Sequence, residues 1–257
     1  MRIVVIGDIH TQAGKLWQML DEAGLLGNER QPSESFLNSD TRLVLLGDLV
    51  HAKSRERYAD LIGVPRFDEY NPEHIAKAER AQEKFLTEVK AFQDAVGERM
   101  SILMGNHDFN AVHPEQGPLR TDDVGHLEWK EGHGGTLPTD LAEWIRGWSH
   151  ELVVEEIHFA HVGPLQEHNT YDNGFYLENR RRWIYEDEDF LEDTPYRLGV
   201  YGHTPVRGGV NIASQGRAIL LDTNGHGDEY TYLEIEVNEG QYRLKMRGFF
   251  FDELIQR

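Results

Sequence analysis

Apolar residues in this chain follow two rhythms. The first is a set of short unbroken runs: Ile3-Val4-Val5-Ile6, Leu43-Val44-Leu45-Leu46 and Ile102-Leu103-Met104. Their length and lack of alternation predict strands buried on both faces. Each run ends in glycine followed by a polar residue, giving Gly7-Asp8, Gly47-Asp48 and Gly105-Asn106. Three later runs, "EIHFAHVG", "LGVYGHTP" and "AILLDTNG", also carry polar residues at their C-terminal ends, His161, His203 and Asp222, the second of them again after a glycine. In open α/β sheets the C-terminal strand edge is where ligands bind, so these residues are the first candidates for a site.

The second rhythm is helical. Residues 12–23 space Leu16, Trp17, Leu20 and Ala23 along one face, with Thr11 as the expected N-cap and Gly24 as the stop. Over 72–96 the stripe is Ile75, Ala78, Phe85, Leu86, Val89, Phe92 and Val96. Asn71 suits the N-cap of that helix, Pro72 its first position and Gly97 its end. A third helix is predicted at 139–147. Residues 110–138, rich in Gly, Pro and His, read as a long loop, and loops beyond about 15 residues are usually functional or mobile. The C-terminal "YTYLEIEVNEGQYRLKMRGFFF" predicts two strands about Asn238-Glu239-Gly240. Strands alternate with helices early and follow one another late, so the expected fold is α/β with two packed sheets flanked by helices. We expect one domain over 1–257, with insertions at about 52–98 and 110–138.

Composition narrows the chemistry. The 257 residues carry a formal charge of −19, with acidic runs such as Glu186-Asp187-Glu188-Asp189. That field repels polyanions and disfavours long nucleic acids as partners. No stretch approaches the roughly 18 apolar residues of a spanning helix, so no membrane is expected. The first strand starts at once, with no room for a leader, and a cytoplasmic location is the expectation. With no cysteine in the sequence, any metal must be held by His, Asp, Glu or Asn.

The strand-end residues fit that restriction. Asp8, His10, Asp48, Asn106, His161 and His203 supply three imidazoles, two carboxylates and an amide. This mixed N/O set suits borderline divalent ions such as Mn²⁺, Fe²⁺ or Zn²⁺. It exceeds the needs of one catalytic ion, whereas two ions about 3.5–4 Å apart bridged by a carboxylate would use it fully. Taken singly, a Gly-Asp pair is ordinary turn chemistry and a lone histidine an ordinary packed residue. Their ordered recurrence at successive strand ends is what points to a site.

In order, "GDIH", "GDLVH", "GNHD", "AHVG" and "GHTP" resemble the calcineurin-like metallophosphoesterase superfamily. "GHTP" with "LLDTNG" downstream looks most like its bacterial serine/threonine-phosphatase and diadenosine-tetraphosphatase-like branch. The resemblance implies a four-layer α/β/β/α sandwich with two mixed sheets and a dinuclear metal site at the C-terminal strand ends. By motif, Asp8 and His10 would hold one metal, Asp48 would bridge, and Asn106, His161 and His203 would hold the other. His107 matches the general acid. The implied cofactor is two divalent ions, Mn²⁺ first, with Fe or Zn as alternatives. The implied substrates are phosphorylated small molecules, nucleotides or phosphoproteins.

Departures from the pattern matter. The branch reads GDxVDRG at the second motif, where the later Asp orients the acid histidine and the Arg binds phosphate. Here His51 and Ala52 stand in those places, so His107 is expected to lose its orienting partner unless another carboxylate takes over; Asp108 is adjacent in sequence. Thr11 replaces the final Gly of the first motif. Lys53, Arg55, Arg181 and Arg182 are the candidate replacements for phosphate binding. His74, His113, His126, His133 and His150 are read as non-catalytic. His158 falls on the opposite strand face from His161, and His226 could line the pocket. Members of the superfamily with diesterase activity often read GHTH at the last motif, so by the same resemblance Pro205 in place of the second histidine mildly favours the phosphatase branch over phosphodiesterases; hydrolysis of dinucleoside polyphosphates stays an alternative. A non-catalytic scaffold is the other alternative, disfavoured because every ligand position is occupied by a competent residue.

Overall fold

The computed structural model describes residues 1–121, 123–164, 191–206, 209–222 and 229–248, and the backbone alone of 251–256. Two mixed sheets form its centre. The first has six strands in the order β11-β10-β9-β1-β2-β3, and the second has five in the order β4-β5-β6-β8-β7. In the first sheet β1 (Arg2–Ile6) pairs in parallel with β2 (Thr41–Leu45), which pairs in parallel with β3 (Met100–Ile102). The antiparallel strands β9 (Thr231–Asn238), β10 (Gln241–Gly248) and β11 (Phe251–Gln256) extend it from the other side of β1. The hairpin about Asn238-Glu239-Gly240 is present as expected. In the second sheet β5 (Ile157–Ala160), β6 (Leu198–Tyr201) and β8 (Ala218–Leu220) run parallel, edged by antiparallel β4 (Glu151–Val154) and β7 (Asn211–Ala213).

The two-residue period of a strand explains why the runs are apolar throughout. Ile3, Val5, Val44, Leu46, Leu233 and Ile235 face the second sheet and pack with its Ile157, Phe159, Leu198, Val200 and Ile219. The alternate residues Val4, Ile6, Leu43, Leu45, Met100 and Ile102 face the helices.

Those helices are α1 (Ala13–Glu22), the short α2 (Glu34–Leu37), α3 (Arg55–Ile62), α4 (Pro72–Val96), α5 (Asn106–Ala111) and α6 (Thr139–Arg146). Asn71 caps α4 by accepting the Glu73 amide, with Pro72 at the start and Gly97 at the end, and every residue of the expected stripe is buried. Thr11 does not cap α1. Gln12 occupies that position without a side-chain cap, and Thr11 instead takes a left-handed backbone (φ 65°) and donates its amide to Leu49 O at 2.9 Å. The outer face of the second sheet carries Ala160, Tyr201, Ala218 and Leu220, with Leu191 packed against them. Among the described residues no helix covers that face. No helix among the described residues is long and apolar enough to cross a membrane.

Residues 112–138 contain no helix or strand among those described, in keeping with a loop. The segment Val124–Lys130 is nevertheless buried throughout, packed between the C-terminal side of β2 and α4 partners such as Gln82.

Candidate metal centre

Parallel β1, β2 and β3 of the first sheet and β5 and β6 of the second deliver the expected residues to one place. Two glycines show how closely the strand ends approach there. A Cβ on Gly105 would lie 2.2 Å from Asp48 Oδ1, and a Cβ on Gly202 would lie 2.4 Å from Asp8 Oδ1. Neither contact leaves room for a side chain. The loops after β1 and β2 are zipped together, with Ile9 and His10 donating amides to Asp48 O at 3.1 and 2.8 Å.

His10, Asp48, His51 and His203 all adopt positive φ (45°, 51°, 63° and 63°). Non-glycine residues in that region carry backbone strain that the surroundings must hold in place, and such strain clusters at functional sites. Asp108 supplies much of the restraint. Its carboxylate accepts the amides of Asp48 (2.6 Å), Leu49 (2.9 Å), Val50 (3.3 Å) and Gly105 (3.2 Å). It therefore braces the loop after β2 and does not touch the His107 ring.

Within this frame Asp48 is central. Its Oδ1 accepts the His107 amide at 2.9 Å, while Oδ2 lies 3.5 Å from His10 Nε2 and 3.4 Å from His161 Nε2. His10, Asp48 and His107 present ligand atoms within 4.8 Å of one another, and so do Asp48, His161 and His203. Asp48 belongs to both groups. Asn106 Oδ1 sits 3.0 Å from His161 Nε2 and 2.8 Å from His203 Nδ1. Asp8 completes the cluster: Oδ1 accepts the His203 amide at 3.0 Å, and Oδ2 lies 3.7 Å from His10 Nε2.

Backbone carbonyls set the imidazole orientations. His10 Nδ1 donates to His51 O at 2.9 Å and His161 Nδ1 donates to Leu46 O at 2.8 Å, so each turns Nε2 inward. This is the arrangement that fixes a metal-ligating histidine in the required tautomer. Asp8 Oδ2 and His203 Nε2 are buried without a hydrogen-bond partner among the described residues. Buried polar atoms left unpaired are costly, and a cation would satisfy both. The donor set, its burial and these two atoms fit a pair of divalent ions.

Electrostatics follow the same logic. Burial works to raise the Asp48 carboxyl, but His161, His107 and His10 outweigh it and hold it well below its ordinary value. Burial would depress His161, yet the Asp48 and Asp8 carboxylates overcome it and bring that imidazole up to about 9. Burial and the neighbouring His161 push His203 down to about 3. Burial also drives His107 well below the usual imidazole value.

His51, in the place of the missing carboxylate, brings its own Nδ1 to 3.1 Å from His107 Nδ1. His126, read from sequence as an ordinary loop histidine, is fully buried with its ring 4.6 Å from His51 and 5.0 Å from His107. Tyr58, Gln82 and Glu128 join them. No local pattern marks His126 and Glu128, because an inward-turned loop has no periodicity to read; Tyr58 and Gln82 lie on the buried faces of α3 and α4, and helical spacing could have found Gln82 on the stripe of Ile75, Ala78 and Phe85. Lys53 reaches the centre, with Nζ 3.1 Å from His10 Nε2. Arg55 turns away and is tied to Asp123 and Glu69. His158 is engaged by Tyr201 and Glu151 behind the second sheet, as its strand parity predicts. Arg181, Arg182 and His226 lie outside the described residues.

Two mixed sheets packed face to face, with a buried His/Asp cluster at their adjoining strand ends, define a phosphoesterase-type metal-binding sandwich. A family model for calcineurin-like phosphoesterases matches residues 1–238, and the chain belongs to that family. Among solved structures it is similar to a protein serine/threonine phosphatase from Saccharomyces cerevisiae, described as similar to human phosphatase PP5. That match has a TM-score of 0.54 at 13% identity and covers 98% of this chain and 81% of that one. A metallophosphoesterase from Sphaerobacter thermophilus aligns with TM-score 0.45 at 16% identity, over 98% of this chain and 89% of that one. Among curated proteins, none matches the sequence.

Proposed function

We propose that the protein is a metal-dependent phosphatase acting on phosphomonoesters. The observation that carries this reading is the position of Asp48 Oδ2 between His10 Nε2 and His161 Nε2, 3.5 and 3.4 Å away, where one carboxylate can serve two cations. Asp8, His10 and Asp48 would hold the first ion, and Asp48, Asn106, His161 and His203 the second. Mn²⁺ is the first choice for this N/O set, with Fe or Zn as alternatives. When bound, two such ions supply Lewis acidity that favours hydroxide near neutral pH and balances the charge of the phosphoryl oxygens.

The chain's own residues account for the rest. His51 O and Leu46 O keep His10 and His161 turned inward, so the pocket needs little reorganisation. His107 has Nδ1 engaged by His51, which leaves Nε2 to face the substrate; burial disfavours its charged form, and the negative charge of a bound phosphate would offset this, so that the imidazolium Nε2–H passes to the leaving oxygen as the P–O bond breaks. Lys53 rests against His10 Nε2. A nitrogen that binds a cation cannot also hold an ammonium, so Lys53 is released to meet the phosphate of the substrate.

Hydrolysis of dinucleoside polyphosphates or phosphodiesters is the second reading; Pro205 in "GHTP" speaks against the phosphodiesters alone. The test is to strip the protein with chelator, restore it with Mn²⁺, and assay p-nitrophenyl phosphate, bis-p-nitrophenyl phosphate, a phosphopeptide and diadenosine tetraphosphate. Mn²⁺-dependent turnover of the monoesters supports the proposal. A preference for the bis-ester overturns the monoester assignment, and Mn²⁺ binding without turnover of any substrate favours a scaffold.

A further inference from the structure

A second group of buried polar side chains lies behind His107: His51, Tyr58, Gln82, His126 and Glu128, each fully buried. Burying so many polar groups is costly unless they satisfy one another. Here they satisfy one another only in part: they form a chain that ends on the His107 ring, while His51 Nε2, His126 Nε2 and Glu128 Oε2 have no hydrogen-bond partner among the described residues. Glu128 Oε1 accepts from Gln82 Nε2 at 2.9 Å, and Gln82 Oε1 accepts the His51 amide at 2.7 Å. The His51 ring lies parallel to His126, with 4° between the ring planes and centroids 4.6 Å apart. His126 is fixed in turn by Tyr58, whose hydroxyl is 2.8 Å from His126 Nδ1. His51 is thus held on its backbone, on its ring face and at its left-handed φ of 63°. Its Nδ1 meets His107 Nδ1 at 3.1 Å, and its Nε2 is buried without a hydrogen-bond partner among the described residues.

We propose that His51 is the positioning residue for His107, accepting the His107 Nδ1–H on its own Nδ1 and so fixing the tautomer whose Nε2 serves the substrate. The Gln82 bond and the His126 stack hold it there. This inference rests on the reading of His107 as proton donor. The donor in that step is the His107 imidazolium, formed when Nε2 takes up a proton as the substrate phosphate brings its negative charge: the Nε2 proton passes to the leaving oxygen and His107 returns to the neutral Nδ1–H tautomer, still bonded to His51, so His51 neither gains nor loses a proton. An imidazole differs from a carboxylate here in being neutral. It orients His107 without adding another buried negative charge beside Asp8, Asp48 and Asp108.

Asn and Leu are nearly isosteric, and only Asn can present an oxygen near the place of the His51 Nδ1. With Mn²⁺ bound, His51→Leu is expected to lower kcat for phenyl phosphate about tenfold or more. The loss is smaller for p-nitrophenyl phosphate, whose leaving group needs less protonation, and KM and metal content stay near those of the unaltered protein. His51→Asn restores most of the loss. In the metal-free protein, long-range ¹H–¹⁵N spectra should show neutral His107 as the Nδ1–H tautomer both in the unaltered chain and in His51→Asn, and a shift toward Nε2–H in His51→Leu. Should the Leu variant fail to fold, His51→Phe keeps the stack on His126 while removing both nitrogens.

A parallel His107→Gln arm separates the two ideas. If that variant loses turnover equally for both leaving groups, the proton-donor reading falls and the positioning role with it. If it shows the leaving-group dependence but His51→Leu and His51→Asn behave alike, only the positioning role is overturned.

Discussion

Asp48 divides its two oxygens between structure and chemistry: Oδ1 accepts the His107 main-chain N–H at 2.9 Å, which leaves Oδ2 to the imidazoles of His10 and His161. Replacing it with Asn keeps an acceptor for the amide but removes the charge that both cation positions share. Asp48→Asn is therefore expected to fold, to lose both bound metals by elemental analysis after Mn²⁺ loading, and to lose turnover. Retention of two ions per chain would contradict the bridging role.

Metal uptake should release protons. In the metal-free cluster the Asp48 and Asp8 carboxylates overcome burial and hold His161 up to about 9, so this imidazole is protonated at pH 7. Its Nε2 must be deprotonated to bind a cation. Affinity should therefore rise with pH until about 9, and titration calorimetry in buffers of different ionisation enthalpy should report about one proton released per chain at pH 7. Binding with no dependence on buffer would count against His161 as a ligand.

Much of this arrangement was legible because it depends on local rules. Runs such as Ile3–Ile6 needed only period and length, and α4 carried its own cap, first-turn proline and terminal glycine. The strand-end residues were legible because parallel strands bring their C-terminal ends to one edge whatever lies between. His126 and Glu128 were not, since each becomes part of the cluster only when residues 124–130 fold inward, which no nearby pattern encodes; Gln82, by contrast, sits in phase with the α4 stripe and was a polar residue on a face read as apolar. The direction of the Asp108 side chain was equally hidden: adjacency to His107 suggests a partner for that ring, whereas the start of α5 turns the carboxylate onto the loop after β2.

That carboxylate supports a test of stability. Asp108→Ala strands the amides of Asp48, Leu49, Val50 and Gly105, all buried, and an unsatisfied buried donor costs about 1–3 kcal/mol. Urea denaturation of the metal-free protein should show a loss of about 3 kcal/mol or more, with Asp108→Asn losing less because one acceptor oxygen remains. A loss under about 1 kcal/mol would mean that the loop finds other partners.

Lys53 is tested through binding. If it meets the substrate phosphate once displaced from His10 Nε2, Lys53→Met should raise KM for p-nitrophenyl phosphate about tenfold, with a smaller change in kcat. Phosphate should weaken as a competitive inhibitor in parallel. A variant with unaltered KM and phosphate inhibition would remove Lys53 from the binding site.

Glu128 carries a pH signature of its own. Burial raises its carboxyl from 4.5 to about 7. Between those values the folded protein keeps a proton on Glu128 that the unfolded chain has released, so the folded state binds more protons and stability falls as pH rises. The contribution is up to about 1.4 kcal/mol per pH unit. It is fully present as a penalty only above about pH 7 and vanishes below 4.5. Glu128→Gln keeps an acceptor for Gln82 Nε2 and cannot ionise. Its unfolding free energy, measured by urea at a series of pH values on metal-free protein, should decline less steeply over that interval than that of the unaltered chain, and identical slopes would show that Glu128 is already ionised in the fold.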